Sequence, residues 1–497
     1  MKEAAANIVS VDVREELSAN LLASQASLCY ILHAILPTYS LSMSLLVSIS
    51  GVRGIVGDGL TPEVILKYAS AFAEFCHGGK IVVGRDGRVT GKIIGNIVSS
   101  TLLAKGCDVI ALGVAPTPTI GIAVEQLHAA GGISITASHN PMEWNGLKFI
   151  GRSGMFLNAE ENRRMWTMAD QPHKPYATWE KLGKHLADDS FLRQHIDMVM
   201  SLPYVKPEVI RGRKFRVVLD CINAAGGVIV PFLLRELGCD VIEMNCEGSG
   251  IFARNPEPLP ENLGAVAERV RIERADLGVV VDPDVDRLVF ITEKGEPFGE
   301  EYTVTTAVKF VLDKLRKSRQ GRPNVVVNLS TTRAVDDVGR SYGATVLRTP
   351  VGEINVASKM KEVRADVGGE GSGGVILPAV HYGRDAIVGI GLILQQLAEF
   401  GGTISEFKET LPQYRIVKSK VDLAGKTPEH LLEKIQSKYA SNGNVNLEDG
   451  LKIDFADSWV HLRKSNTEPV IRIISEAPTV EEAQKLVRQF TERILTS

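Results

Sequence analysis

Three stretches of this chain repeat one pattern, and that repeat constrains the fold more than any other feature. Ile81–Gly84 is an apolar strand followed by a turn, an apolar helix and Gly106-Cys107-Asp108-Val109-Ile110. Arg216–Asp220 is a second such strand, followed by Gly226–Leu237 and then Gly238-Cys239-Asp240-Val241-Ile242. Asn324–Leu329 is a third, followed by Arg333–Tyr342 and then Gly343-Ala344-Thr345-Val346-Leu347. Each reads strand, helix, glycine stop, strand. Glycine suits a helix C-terminus, and a β-branched run suits a strand buried on both faces. A helix between two strands implies a right-handed crossover and parallel or mixed sheets. The expected fold class is therefore α/β, with three similar α/β domains built on mixed sheets.

The tail departs from the repeat. Thr427-Pro428-Glu429 opens a helix with Thr427 as cap. Trp459–Leu462 and Val470–Ile474 read as strands, and Thr479–Leu495 as a final helix with Glu481 and Glu482 in its first turn. This is a smaller C-terminal α+β domain. Linkers are expected near 200–212, 300–308 and 410–420, which divides the chain at 43–203, 204–305, 306–412 and 413–497. Residues 1–42 carry no strand and turn pattern of this kind. Leu28–Leu36 is apolar but too short to span a bilayer, and the acidic start is unlike a signal peptide. The pattern begins at Met43, so 1–42 is read as an extension or a mis-assigned start.

Composition narrows the function classes. The formal net charge is −3, so no general basic field points to nucleic acid or an anionic membrane. The six cysteines are scattered without a CxxC pair, which fits a reducing, cytoplasmic setting.

Four loops carry chemistry. The first is Thr136-Ala137-Ser138-His139-Asn140-Pro141, where an apolar strand runs into a hydroxyl, an imidazole and a proline-stiffened turn. A nucleophile can be presented there, although Asn-Pro also simply starts turns. The second is Asp282-Pro283-Asp284-Val285-Asp286-Arg287, after the strand Leu277–Val281. Three alternate carboxylates can converge on a hard cation, Mg²⁺ or Ca²⁺. An EF-hand is a poor fit: Arg287 stands where that loop needs glycine, and Leu288–Ile291 continues as a strand. The third, Gly368–Gly374, sets Glu370 and Ser372 among glycines that let a ligand approach the backbone. A carboxylate there suits sugar hydroxyls and would repel phosphate. The fourth, Arg463–Pro469 with Arg472 beyond, offers arginine, hydroxyls and loop amides to a phosphate dianion.

In this order and spacing, the four loops resemble the α-D-phosphohexomutase superfamily, which includes phosphoglucomutase/phosphomannomutase and phosphoglucosamine mutase. The resemblance covers roughly residues 45–495 and extends to Ser50–Gly54, Gly84–Arg88 and Pro256–Pro258. It implies four domains around a central cleft. It implies a phosphoserine at Ser138, and Mg²⁺ held by Ser138, Asp282, Asp284 and Asp286. It implies His139, Lys148, Arg53 and Arg287 around the reacting groups. Glu370 and Ser372 would meet the sugar hydroxyls. Gly352 lies in a segment, Thr349–Glu353, that resembles a sugar-specificity loop. Arg463, Ser465, Asn466 and Thr467, with Arg472 beyond them, would grip the substrate's other phosphate. The implied reaction moves phosphate between C6 and C1 of a hexose phosphate through a hexose 1,6-bisphosphate. The substrate would be a glucosamine, glucose or mannose phosphate, and the enzyme a cytoplasmic monomer or homodimer with no nucleic-acid or membrane partner.

The chain also departs from the family pattern. Pro283 stands where many relatives have glycine. Gly374 stands where several have a histidine, so a proton-transfer role for that histidine has no carrier here. Glu353 and Asn355 stand where some carry lysine, and an acidic Glu353 would favour an amino sugar. His381 reads as structural. Two rivals stay open: a phosphosugar hydrolase, and a non-catalytic sugar-phosphate-binding protein.

Overall fold

Each of the three repeats folds as a four-stranded sheet with one shared strand order. In the first, Trp144–Gly151, Gly131–Ile135, Lys80–Arg85 and Asp108–Val114 lie side by side. In the second the order is Leu288–Thr292, Leu277–Val281, Arg216–Asp220, Asp240–Met244, and in the third Gly374–Ile376, Val367–Glu370, Asn324–Asn328, Thr345–Thr349. In every case three strands run parallel and the last in chain order returns antiparallel. The first sheet adds Leu45–Ser48 and Gly51–Ile55 at one edge and His185–Ala187 at the other. The computed structural model describes residues 44–316, 321–423, 427–439, 444–464 and 470–496, so the reading of 1–42 lies outside the described residues.

Valine-rich runs drive these sheets inward. All five residues of Leu277–Val281, of Leu288–Thr292 and of Gly131–Ile135 are buried. One apolar core joins the second and third repeats, packing Val217, Leu219 and Phe290 with Val325, Ile387 and Ile390. This shared core corrects the expected linker at 300–308. That segment lies inside the helix Glu300–Leu315, whose inner residues from Glu301 to Leu312 are largely buried. Its β-branched residues fill the space between two sheets, so packing overrides their weak helix preference. The expected linker at 200–212 likewise contains the helix Pro207–Arg213, with Ile210 buried.

The C-terminal part is a five-stranded sheet, in the order Arg415–Asp422, Val470–Ala477, Trp459–Lys464, Leu451–Asp454, Asn444–Asn446, antiparallel throughout. The helices Pro428–Tyr439 and Val480–Thr496 accompany it, and it has its own core around Leu451, Ile453, Ile471, Ile473 and Phe490. Thr479 and Glu482 cap the last helix reciprocally. Three α/β units and a smaller α+β unit thus follow the sequence expectation. Among the described residues no helix is long and apolar enough to cross a membrane.

The repeat has a functional consequence. The turn between the third strand of each repeat and its antiparallel return carries, in order, Ser138, the three aspartates, and the Gly371–Gly373 turn next to Glu370. Three of the four loops picked out in the sequence are one hairpin position used three times.

Candidate active site

The first hairpin is held from beneath. Ser138 lies in the left-handed region at φ 51° and is buried. Its amide donates to Thr136 Oγ1 at 2.8 Å, and Thr136 Oγ1 donates to Asp86 Oδ2 at 2.7 Å. Arg88 pairs with the same Asp86 oxygen at 3.0 Å. Its guanidinium also donates to the carbonyl oxygens of Ser138 (2.6 Å), Asn140 (2.7 Å), Pro141 (2.6 Å) and Trp144 (2.9 Å). A planar fork can serve four carbonyls of one loop, whereas an ammonium could not. Sequence analysis placed Asp86 and Arg88 in the Gly84–Arg88 stretch of family resemblance but gave neither a role. Ser138 Oγ points the other way, 3.3 Å from His139 Nδ1 and 3.4 Å from Asp282 Oδ2.

The second hairpin brings Asp282, Asp284 and Asp286 together, all fully buried, with one oxygen of each within 4.8 Å of the others. A solvated acidic turn is therefore excluded. Asp282 Oδ1 accepts from the amides of Asp286 and Arg287, both at 3.1 Å. Thr117 donates to Asp284 Oδ2 at 2.8 Å, and Lys148 to the same oxygen at 2.7 Å. Val285 reaches φ 61°, uncommon for a β-branched residue, while its side chain stays in the core. Packing holds a bend that the alternating ligands require.

These residues fit a hard divalent cation. Asp284 Oδ1 and Asp286 Oδ1 are buried and have no hydrogen-bond partner among the described residues. Burial and the charges of Asp286 and Asp284 raise the Asp282 pKa well above the usual carboxylate range. Asp286 shifts the opposite way: burial opposes its charge, but Arg384, Lys148 and Arg287 outweigh burial and hold its pKa well below the usual range.

Cations surround the cluster. Burial opposes the charge of Lys148, but Asp284 and Asp286 overcome it and raise its pKa. Arg287 Nη1 lies 3.2 Å from Glu257, and Arg53 Nη1 donates to Asn140 Oδ1 at 3.2 Å. The Nε atoms of Arg53 and Arg287 are buried without hydrogen-bond partners among the described residues, and Arg287 Nε stands 3.9 Å from Asp286 Oδ1. Burial, with Arg287 and Arg53, holds the His139 pKa well below the usual imidazole value, so the ring is neutral near pH 7.

The third hairpin is already engaged within the protein. Glu370 Oε1 accepts from Asn328 at 2.8 Å and from the Gly352 amide at 2.9 Å, and Oε2 accepts from Arg384 at 2.7 Å. Ser372 is half-buried beside it. A Cβ on Gly374 would sit 2.3 Å from Arg384 Cδ, so Arg384 occupies the space a side chain at 374 would need. His381 is structural, bonded to Asp385 at 3.0 Å in the core.

On the C-terminal sheet, Arg463 and Arg472 lie directly opposite each other. Arg463 Nε stands 2.9 Å from Asp449 Oδ2, an ion pair without hydrogen-bond alignment, and Asp449 Oδ2 also accepts from the Val351 amide at 2.9 Å. The strand leading to the phosphate loop is thus linked through Asp449 to the segment that contains Gly352. Ser465, Asn466 and Thr467 lie outside the described residues.

Comparison with known proteins agrees with this arrangement. Four family models match in order: the phosphoglucomutase/phosphomannomutase α/β/α domain I over residues 45–174, domain II over 193–295, domain III over 300–414, and the C-terminal domain over 417–493. A Methanopyrus kandleri protein named a probable phosphoglucosamine mutase is 36% identical over 448 residues, 89% of this chain and 96% of that protein. A Thermococcus kodakarensis phosphoglucomutase/phosphomannomutase is 38% identical over 441 residues, 88% and 95% of the two chains. A crystal structure of a phosphoglucomutase/phosphomannomutase family protein from Burkholderia thailandensis shares the fold at TM-score 0.76 and 24% identity, covering 90% of this chain and 98% of that one. With its three hairpins converging and all four domains matched in order, this chain belongs to the phosphoglucomutase/phosphomannomutase family of α-D-phosphohexomutases.

Proposed function

We propose that this protein is a phosphohexose mutase that moves phosphate between C6 and C1 of a hexose phosphate by way of phospho-Ser138. The observation that carries the reading is Ser138 Oγ, buried and 3.4 Å from Asp282 of the aspartate cluster. In the first half-reaction a sugar hydroxyl oxygen bonds to phosphorus, the P–Oγ bond breaks, and the electron pair stays on Oγ. The hydroxyl proton is released as the bisphosphate forms. In the second half Oγ takes the other phosphoryl group, and a proton returns to the sugar oxygen. His139 Nδ1 is 3.3 Å from Oγ: as the neutral imidazole it takes the Oγ proton when Oγ becomes phosphorylated, and as the resulting imidazolium it returns that proton when the P–Oγ bond breaks.

Such transfer is mainly positioning and charge stabilisation. Asp282, Asp284 and Asp286, with an oxygen on Ser138, would hold Mg²⁺, which when bound offsets phosphate charge. Lys148, Arg53 and Arg287 supply further positive charge. Arg463, Arg472 and the 465–467 segment would grip the second phosphate, and Glu370, Ser372 and Gly352 would line the sugar. A cytoplasmic monomer or homodimer is the setting that goes with this reading.

The expectation that Glu353 attracts an amino sugar loses its electrostatic support. Its Oε1 accepts from the Arg384 backbone amide and its Oε2 from the Arg384 guanidinium, at 3.1 Å each, so both oxygens are already bonded within the protein. Glucose and mannose phosphates therefore stand level with glucosamine phosphate. The test is a side-by-side assay with glucosamine 6-phosphate, glucose 1-phosphate and mannose 1-phosphate, supplied with Mg²⁺ and a trace of the cognate 1,6-bisphosphate. Isomerised product without stoichiometric free phosphate is expected, and Ser138→Ala should remove it. Phosphate release matching substrate loss would instead identify a hydrolase, and binding without turnover a sugar-phosphate-binding protein.

A further inference from the structure

We infer that Arg384 is a positioning residue that joins the metal loop to the sugar loop, so that divalent-metal binding and hexose-phosphate binding strengthen each other. The inference rests on the mutase reading given above.

Arg384 reaches three carboxylates on three separate segments. Nη2 donates to Asp286 Oδ2 at 2.6 Å, Nη1 to Glu370 Oε2 at 2.7 Å, and Nε to Glu353 Oε2 at 3.1 Å. Asp286 belongs to the second repeat, and Glu370 and Glu353 to the third, at the end of the strand Val367–Glu370 and the start of the helix Glu353–Val363. Guanidinium has donors along three edges of a rigid plane, so one side chain can bind all three at once. A lysine at the same place has a single charged centre and cannot span them.

The bond to Asp286 orients the carboxylate. Arg384 and Lys148 both take Oδ2, at 2.6 Å and 3.3 Å. Oδ1 is left buried without a hydrogen-bond partner among the described residues and available to a cation. Groups that hydrogen-bond the far oxygen of a metal ligand fix its geometry. The bond to Glu370 does the same for the sugar loop, whose other oxygen is held by Asn328 and the Gly352 amide.

Arg384 is itself well anchored. Its neighbour Asp385 caps the helix Ala386–Phe400 through the amides of Ile387 (2.8 Å) and Val388 (3.2 Å). The other Asp385 oxygen is shared by His195 (2.7 Å) and His381 (3.0 Å) in the core. A cation that fixes Asp286 therefore fixes Arg384, and through it Glu370. By linkage, a sugar that fixes Glu370 tightens the metal site by the same factor.

The test is calorimetric titration of the full-length, dephosphorylated protein with Mg²⁺, alone and with saturating glucose 1-phosphate, mannose 1-phosphate or glucosamine 6-phosphate. In the unmodified protein, the sugar phosphate that is turned over should lower the Mg²⁺ Kd by roughly fivefold or more. In Arg384→Lys the Mg²⁺ Kd alone should rise about tenfold, and the sugar effect should fall to near one. Glu370→Gln keeps the shape and leaves Asp286 untouched. With sugar phosphate raised until it saturates this variant as well, the Mg²⁺ Kd should stay at the sugar-free value of the unmodified protein, which separates lost coupling from weaker sugar binding and guards against a folding defect in the lysine variant. An enzyme that turns over a hexose phosphate with Mg²⁺ but shows no coupling overturns the inference alone, as does unchanged coupling in both variants. Absence of Mg²⁺ binding and of turnover in the unmodified protein overturns the mutase reading, and the inference with it.

Discussion

The guanidinium of Arg88 donates to the carbonyl oxygen of Ser138 at 2.6 Å while pairing with Asp86 at 3.0 Å, and both charged side chains are fully buried. The nucleophile loop therefore hangs from an ion pair that solvent cannot reach. Arg88→Ala would leave Asp86 uncompensated and four carbonyls without their donor. Removing one partner of a buried pair is expected to destabilise the fold by about 3–5 kcal/mol. Urea unfolding of the full chain measures this. A loss below about 1 kcal/mol, the range of an exposed pair, would show that the pair does not bear on the loop.

The aspartate cluster predicts an absolute need for a divalent cation. Chelation should remove turnover, and added Mg²⁺ should restore it. Asp284→Asn keeps the shape but weakens both the attraction for a cation and the pairing with Lys148, which stands 2.7 Å away. Turnover should fall by about 10²–10³-fold, the range for losing one preorganised electrostatic group. Full activity in chelator would remove the metal assignment.

Acid should loosen the junction between the third repeat and the C-terminal sheet. His461 is fully buried, with Nε2 donating to the Asp449 carbonyl at 2.6 Å and Nδ1 facing Ser330 Oγ at 2.9 Å. Burial, seconded by Arg463 and Lys452, pushes its pKa down to about 4, against the pull of Asp449. The unfolded chain, with histidine near 6.5, then binds more protons than the folded one between those two values. Stability is complete above about pH 6.5 and falls toward pH 4, by roughly 3 kcal/mol for a shift of this size. His461→Gln should flatten that part of the stability curve. An identical slope in the variant would assign the acid sensitivity elsewhere.

Gly374 is predicted to be intolerant of any side chain. Its Cβ would lie 2.3 Å from Arg384 Cδ and 2.9 Å from Cγ. Gly374→Ala should displace the Arg384 side chain and destabilise the protein by about 1–3 kcal/mol, as overpacking does. kcat/KM should fall at least tenfold as the sugar loop loses its tie, given how steeply rates depend on placement. Unchanged kinetics would mean that Arg384 can leave its place without consequence.

Most of the architecture could be read from residue patterns. The strand, helix, glycine, strand repeat gave three α/β units because β-branched runs and helix-stop glycines act locally. Ser138 and the aspartates were legible because each follows an apolar strand directly, and Glu370 because it stands in a run of glycines. Three things were not. The 300–308 segment read as a linker, because nothing local shows that a helix there fills the space between two sheets. Arg88 was seen only inside the Gly84–Arg88 stretch of resemblance and without a role, because its four carbonyl partners lie roughly fifty residues away. Arg384 was not singled out at all, because its role exists only where three segments meet.

The sequence by itself determined which loops carry a nucleophile, a cation site and a sugar site, since these depend on residue types at short spacing. Tertiary structure alone decided that the three loops are one hairpin position, brought together at the ends of three sheets. It also decided which carboxylate oxygens stay free for a cation and which are already bonded within the protein. Glu353 shows the difference: as a residue type it is an acid beside a sugar, but in the fold one oxygen accepts from the Arg384 backbone amide and the other from the Arg384 guanidinium, so both are already bonded within the protein. Charge belongs to a residue, whereas the partner that screens it comes from distant parts of the chain and exists only once the core has closed.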